Sequence, residues 1–217
     1  KVKKTTRDIN ALRTYKPGYN YESCSYCKST SINRGKQRRN VYSWCHMPFK
    51  PDEGWNPEVL SDIWDLKGKI FFTNGLTGNR GVPLDMMPSI YNAFDVFYCM
   101  SGGEGFGLPV LEAMATEVPV IYTNYSAHAE VCGNTGIPIS VDFTCEVNSC
   151  YDRAEAKTAE AIQALIPLMD DRDLRSKFGI PARMRAKTMT WDIIAAKWED
   201  CIDSVMTKSK KSIGVLI

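Results

Sequence analysis

A turn with four glycines in six positions, set between an apolar run and a helix pattern, constrains this chain most. The run from Asp95 to Met100 predicts a buried strand, and Pro109 suits the first turn of a following helix. The glycines are Gly102, Gly103, Gly105 and Gly107. In parallel α/β sheets such turns lie at the carboxyl ends of strands, where ligands bind. We therefore expect the functional site at this turn.

Strand and helix patterns alternate on both sides of the turn, which predicts an α/β fold with a parallel sheet and flanking helices. The strand patterns lie at 69–73, 95–100, 118–122 and 136–141. Residues 39–48 fit a helix, and after residue 141 the chain has helix patterns only, at 152–169, 171–187 and from Trp191 onward. An extended basic segment is predicted at 1–30 and a basic tail at 207–217, with the folded domain between them.

Charge is unevenly distributed along the chain, although the net charge is only +2. Residues 1–50 carry twelve Lys or Arg side chains against Asp8 and Glu22, a balance of +10, and the remainder carries −8. The basic part favours an anionic partner such as a nucleic acid, an acidic surface or a small phosphorylated ligand. A solvated arm is the simpler interpretation for residues 1–20.

Composition places the chain among ordinary globular proteins, with 44% hydrophobic and 24% charged residues. No apolar run reaches the ~20 residues of a transmembrane segment, and the first fifteen residues lack the apolar centre of a signal peptide. We therefore predict a cytoplasmic protein with reduced cysteines. Because the chain begins with Lys1, we expect a fragment or a processed product.

The glycine turn has the chemistry of a site for a sugar diphosphate. It leads directly into a helix N-terminus, whose unused N–H groups and dipole favour an anion such as diphosphate. Glu104 precedes the helix and Glu112 lies inside it. A carboxylate can accept two hydrogen bonds at once, which suits the vicinal hydroxyls of a sugar or a ribose.

The string from Glu104 to Glu112, within Glu-Gly-Phe-Gly-Leu-Pro-x-x-Glu-Ala-Met-Ala, resembles the donor-site signature of retaining glycosyltransferases of the group 1 family, which have the GT-B fold. The likeness covers about residues 31–206, including Tyr91 to Phe97 before the motif and Thr190-Trp191 at the last helix. It implies that residues 31–206 form a Rossmann-like donor-binding domain, with a parallel sheet and flanking helices, and that this domain is the C-terminal, nucleotide-sugar-binding half of such an enzyme.

The resemblance assigns roles residue by residue. Glu104 would contact hydroxyls of the donor sugar, together with the backbone of Gly105, Phe106 and Gly107, and Glu112 would contact the ribose. The diphosphate would meet the backbone at Leu108 and basic side chains of the segment Asn33 to Arg39. The cations proposed for the diphosphate are Arg34, Lys36 and Arg39.

The sequence departs from the family pattern in the basic segment. Arg34 matches the family's arginine, but the lysine expected a few residues later is absent, so Lys36 or Arg39 would replace it. The family also has a strand and a helix between this segment and the strand at Ile70. Only about thirty residues remain here, so we expect a sheet that lacks one strand or is remodelled.

Other polar clusters carry less weight. Cys24, Cys27, Cys45 and His46 allow a zinc site, but Cys45 and His46 are adjacent and awkward partners, so ordinary thiols are favoured. Asp171 and Asp173 fit a helix start. Ser126 is expected to cap a short helix, and His128 to lie at the surface or in that cap.

The function implied by the resemblance is retaining transfer of a hexose from a nucleoside-diphosphate sugar to an acceptor hydroxyl. It requires no metal or other cofactor. The acceptor would be a saccharide, a lipid or a protein, and an N-terminal acceptor domain would be supplied in cis or in trans. Two alternatives stay open: a non-catalytic nucleotide-sugar-binding module that acts with a partner chain, and a nucleic-acid-binding protein that uses the basic N-terminus.

Overall fold

Parallel strands form one six-stranded sheet in the computed structural model, which describes residues 8–10, 41–45, 57–73, 81–147 and 151–213. In chain order the strands are β1 (Asp8–Asn10), β2 (Ser43–Cys45), β3 (Ile70–Phe72), β4 (Phe94–Cys99), β5 (Val120–Thr123) and β6 (Ile137–Ile139). Their spatial order is β3-β2-β1-β4-β5-β6, and every neighbouring pair is parallel. This is the order of doubly wound Rossmann sheets, so the predicted fold class is confirmed.

The helices are α1 (Pro57–Ile63), α2 (Met87–Asn92), α3 (Leu108–Ala115), α4 (Ala127–Cys132), α5 (Thr158–Asp170), α6 (Arg172–Ala186) and α7 (Trp191–Ile213). Helices α2 to α6 pack on the sheet, whereas the side chains of α7 are largely exposed. The side chains of β4 and β5 alternate between two core clusters. Phe97, Val120 and Tyr122 pack with α3 and α6, whereas Val96 and Ile121 pack with α5. Burial on both faces explains the continuous apolar runs of these central strands.

The sheet contains strands that the sequence did not indicate. β1 lies within the segment expected to be an extended connection, yet it pairs with both β2 and β4. The helix predicted at 39–48 is wrong for Ser43–Cys45, because these residues form β2 and pair in parallel with Ile70–Phe72. A strand is therefore present between the basic segment and Ile70. The predicted domain bounds themselves stay a prediction.

A β-hairpin follows the sheet and corrects the expectation of helices only after residue 141. Its strands are β7 (Val141–Val147) and β8 (Tyr151–Ala156), paired antiparallel. Ala154 and Ala156 of β8 are buried, whereas residues 142–146 of β7 are exposed. The hairpin leaves the carboxyl end of β6, so it lies at the ligand-binding edge of the sheet.

Membrane-spanning character is absent from the described helices: none of them combines the length and the apolarity that a bilayer crossing needs.

Candidate active site

The glycine turn lies between β4 and α3, beside the point where strand order reverses from β1 to β4. Gly107 is the N-cap of α3 and has left-handed backbone angles, φ 88° and ψ 47°. Its carbonyl accepts hydrogen bonds from the N–H groups of Val110 and Leu111 at 3.0 and 3.2 Å. A Cβ placed here would lie 2.9 Å from Cδ2 of His128, so both conformation and space require glycine.

Hydrogen-bond donors collect where the turn enters α3. The N–H groups of Phe106, Gly107 and Leu108 donate to no group within the part of the chain that the structure describes. The side chains of Phe106 and Leu108 are 48% and 55% exposed, so this end of the helix is open. Unused N–H groups at an open helix N-terminus can accept an anion as a ligand, and the diphosphate contact expected there stays a prediction.

Glu112 lies in the second turn of α3, and a tyrosine orients its carboxylate. The hydroxyl of Tyr91 on α2 donates to Oε2 of Glu112 at 2.7 Å, while Oε1 accepts no hydrogen bond from the described residues. Tyr91 is buried and is fixed by ring contacts with Phe94 and Phe97, at centroid distances of 5.9 and 5.8 Å. One carboxylate oxygen is thus held by the protein, and the other can accept from a ligand hydroxyl.

Glu104 is half-buried, and its backbone is hydrogen-bonded to a residue of the connection between β5 and α4. The Ser126 hydroxyl donates to the Glu104 carbonyl oxygen at 2.9 Å. Ser126 was expected to cap α4 with its side chain. It occupies the N-cap position of that helix but makes no side-chain cap bond there, because its hydroxyl is directed to Glu104. The backbone angles of Ser126 are φ 54° and ψ −144°.

His128 is buried beneath the turn, so the expected surface position is wrong. The residue is 1% exposed, and Nε2 lies 3.7 Å from Sγ of Cys99. Nδ1 is buried and makes no hydrogen bond within the described part of the chain. Burial lowers the pKa of His128 below its ordinary 6.5, and the negative charge of Glu104 partly offsets this. The imidazole is therefore neutral at pH 7.

The hairpin holds the start of the turn. The N–H group of Ala154 donates to the Gly102 carbonyl at 2.8 Å, and a Cβ on Gly102 would lie 2.5 Å from the Ala154 carbonyl oxygen. A Cβ on Gly103 or Gly105 would meet nothing within 4 Å. Gly102 and Gly107 are therefore required by close packing, whereas Gly103 and Gly105 leave room above the backbone.

Of the residues predicted from the sequence, the structure brings together Glu104, Gly105, Phe106, Gly107, Leu108 and Glu112, all on the turn and the first turns of α3. Arg34, Lys36 and Arg39 lie outside the described residues, as do Cys24, Cys27 and His46 of the considered zinc set. Cys45 is buried in β2. In the described ranges no cluster of three or more His, Cys, Asp or Glu side chains is arranged to hold a metal ion.

Sequence reasoning missed the residues that support the turn from a distance. These residues lie between 21 and 52 positions from the groups they contact, and no local pattern marks such contacts; they are Tyr91, Ser126, His128 and Ala154. Tyr91 lay inside the segment that resembled the family, and that was its one available signal.

Comparisons with known proteins identify the family of this chain. A family model described as "Glycosyl transferases group 1" matches residues 54–166, just over half of the chain. The O-antigen chain mannosyltransferase B of Escherichia coli is 31% identical over 143 residues, a match that covers 64% of this chain and 32% of that protein. The chain thus spans about a third of the length of this curated relative.

Solved structures agree with the fold. Sucrose-phosphate synthase from Thermosynechococcus elongatus superposes with a TM-score of 0.61 at 18% identity, covering 84% of this chain and 41% of that one. The C-terminal domain of the group 1 glycosyl transferase LpcC from Francisella tularensis superposes with a TM-score of 0.50 at 26% identity, covering 69% of each chain. Such neighbours are GT-B glycosyltransferases, which agrees with the predicted architecture.

Proposed function

Since the chain belongs to the group 1 glycosyltransferase family, we propose that it is the donor-binding half of a retaining glycosyltransferase and that it binds a nucleoside-diphosphate sugar. The observation that carries this proposal is the open N-terminus of α3, whose unused N–H groups lie on a glycine turn with a carboxylate on either side. A diphosphate would accept hydrogen bonds from these N–H groups and be stabilised by the helix dipole.

The two carboxylates divide the rest of the donor between them. Glu112 would accept from ribose hydroxyls through Oε1, because Tyr91 already occupies Oε2. Glu104 precedes the helix and would accept from hydroxyls of the transferred sugar. The cations at Arg34, Lys36 and Arg39 remain a prediction for the diphosphate, and no metal is required by the proposal.

In the proposed reaction, an acceptor hydroxyl attacks the anomeric carbon as the bond from that carbon to the diphosphate oxygen breaks. The electron pair of that bond leaves with the nucleoside diphosphate, which takes up the proton of the acceptor hydroxyl. Retention requires attack from the face that the diphosphate leaves. The groups on the turn would stabilise the charge that develops on the leaving diphosphate, the larger part of such catalysis.

The transferred sugar is proposed to be a hexose. The curated relative is named a mannosyltransferase, so mannose is the first sugar to test. The acceptor, a saccharide, lipid or protein, would be held by a second domain in cis or in trans. Since near-attack placement supplies much of the rate, this chain alone should bind donor and hydrolyse it slowly, without transferring it.

A thermal-shift panel of UDP-, GDP- and ADP-linked hexoses tests the proposal. A ligand at a hundred times its dissociation constant adds about 2.7 kcal/mol to the free energy of unfolding. One base and sugar should raise the melting temperature, and the matching free sugar should not. If no nucleotide sugar raises it at millimolar concentration, the proposal is wrong.

Two glutamate variants then test the assigned roles by calorimetric titration. Glu112→Ala should weaken binding of the nucleoside diphosphate itself. Glu104→Ala should weaken binding of the full nucleotide sugar only. Each loss of binding free energy should be about 1–3 kcal/mol. Glu117→Ala is the matched control, since this exposed glutamate follows the opposite end of α3 and pairs with Arg183. If Glu104→Ala lost the same affinity for the nucleoside diphosphate as for the nucleotide sugar, the assignment would be overturned.

A further inference from the structure

Residues 126–128, here named the support segment, contact the donor turn at two separate points. At one point the Ser126 hydroxyl donates to the carbonyl of Glu104 at 2.9 Å. At the other, the ring of His128 fills the space that a side chain at Gly107 would need. These two contacts fix both ends of the stretch from Glu104 to Gly107.

Ser126 makes its contact from an unfavourable backbone conformation. Its φ of 54° with ψ of −144° is far from the small left-handed region that L-residues tolerate, and is compatible mainly with glycine. A glycine here would remove the strain but also the hydroxyl. Strain that the surrounding structure maintains, beside a candidate site, indicates that the side chain has a use other than stability.

His128 is costly to bury and is not chosen for stability alone. Its Nδ1 is fully buried with no hydrogen-bond partner among the described residues, although buried polar atoms are normally paired. A leucine would occupy a comparable volume without an unpaired polar atom. Imidazole Nε2 instead lies 3.7 Å from Sγ of Cys99 and would lie 3.3 Å from a Cβ placed on Gly107.

We propose that Ser126 and His128 are positioning residues of the donor site. Ser126 holds the backbone of Glu104, so that the Glu104 carboxylate meets the sugar. The ring of His128 packs beneath Gly107 and so fixes the position of the α3 N-terminus. Both residues act through the turn and touch no substrate. The inference rests on the proposed donor-binding function and adds two residues that determine how tightly the donor is held.

The test separates affinity from stability by comparing Ser126→Ala with Ser126→Gly in the full chain. Both variants lose the hydroxyl, but only glycine relieves the backbone strain, so Ser126→Gly should melt at a higher temperature than Ser126→Ala. Both should bind the best nucleotide sugar from the thermal-shift panel about three- to tenfold more weakly. Both should bind the corresponding nucleoside diphosphate within twofold of the unsubstituted protein.

Asp65→Gly is the matched control, because Asp65 also has a positive φ, of 52°, and lies in the connection after α1. It should relieve strain and leave both affinities unchanged. His128→Leu provides an independent arm: its melting temperature should equal or exceed that of the unsubstituted protein, while nucleotide-sugar affinity falls at least threefold.

Two results would overturn the inference. One is nucleotide-sugar affinity within twofold of the original in Ser126→Gly and His128→Leu. The other is affinity that follows melting temperature across the whole set, which would indicate a purely structural role. Failure of the unsubstituted chain to bind any nucleotide sugar would instead refute the proposed function, and the support segment with it.

Discussion

Removing one oxygen atom from Tyr91 tests how far the protein itself prepares Glu112 for a ligand. Tyr91→Phe keeps the buried ring and its contacts with Phe94 and Phe97, but deletes the donor to Glu112 Oε2 at 2.7 Å. Hydrogen bonds to a charged group contribute about 1.5–3 kcal/mol. Because Glu112 is half-buried and water can replace the lost donor, we expect the lower end, about 1.5 kcal/mol.

For a chain of 217 residues this loss corresponds to a fall in melting temperature of about 3–6 °C. Affinity for the nucleoside diphosphate should fall about threefold, since the freed carboxylate must be ordered on binding. Urea denaturation and calorimetric titration measure the two effects. The control is Tyr125→Phe, whose exposed hydroxyl makes only a 3.5 Å contact with the Asp152 carbonyl, and it should change neither quantity.

A double-mutant cycle with Glu112→Gln completes the test. If the hydrogen bond accounts for the lost stability, Tyr91→Phe should lower the free energy of unfolding much less in the Glu112→Gln background than in the original protein. The reasoning is refuted if Tyr91→Phe and Tyr125→Phe have the same melting temperature and the same diphosphate affinity.

Three further predictions concern charge and burial. Arg34→Ala should weaken binding of the nucleoside diphosphate more than binding of the bare nucleoside, and this difference should be smaller at high salt. Equal losses of affinity for the two ligands in a titration would exclude a diphosphate contact. Because burial holds the pKa of His128 below 6.5, the unfolded chain takes up its proton first, so the free energy of unfolding should decrease as pH falls below 6.5. Urea denaturation between pH 5 and pH 8 should show a shallower decrease in His128→Leu. Burial, together with the nearby Cys99, raises the pKa of the Cys132 thiol to about 12, so a short iodoacetamide pulse at pH 8 should label the exposed Cys201 and leave Cys132 unmodified, as peptide mass spectrometry would show.

The centre of the fold could be predicted because its signals are local. β4 and β5 are buried on both faces, which leaves apolar runs in the sequence, and the glycine turn is marked by composition. β1 has only Ile9 between two polar residues, and its place in the sheet depends on pairing with distant strands. No local pattern could have shown it.

The errors at β2 and at the hairpin have the same origin. Ser43–Cys45 is too short to show alternation, and Trp44 is compatible with a helix as well as with a strand. In β8 the two buried alanines are also good helix formers, so the sequence pattern at 152–169 predicts a helix that includes most of this strand. Pairing with β7 overrides that preference.

The candidate site divides in the same way. Its ligand-facing groups are contiguous between Glu104 and Glu112 and could be identified together. Its supports come from α2, from the start of α4 and from β8, which are brought to the turn only by the folded sheet. Packing decides whether a tyrosine, serine or histidine elsewhere in the chain contacts the site. The residues next to it in the sequence do not indicate this.

The position of β1 in the middle of the sheet has a consequence for the order of folding. β4, β5 and β6 are consecutive and pair with their neighbours in sequence, so this half can assemble from short loops. The pairing of β1 with β4 must close the whole stretch from Asn10 to Phe94, which has a higher entropic cost and is slower. We therefore expect the half that carries the glycine turn to acquire protection from hydrogen exchange first. The crevice between β1 and β4 would then be the last part of the sheet to form, so donor binding would report completed folding.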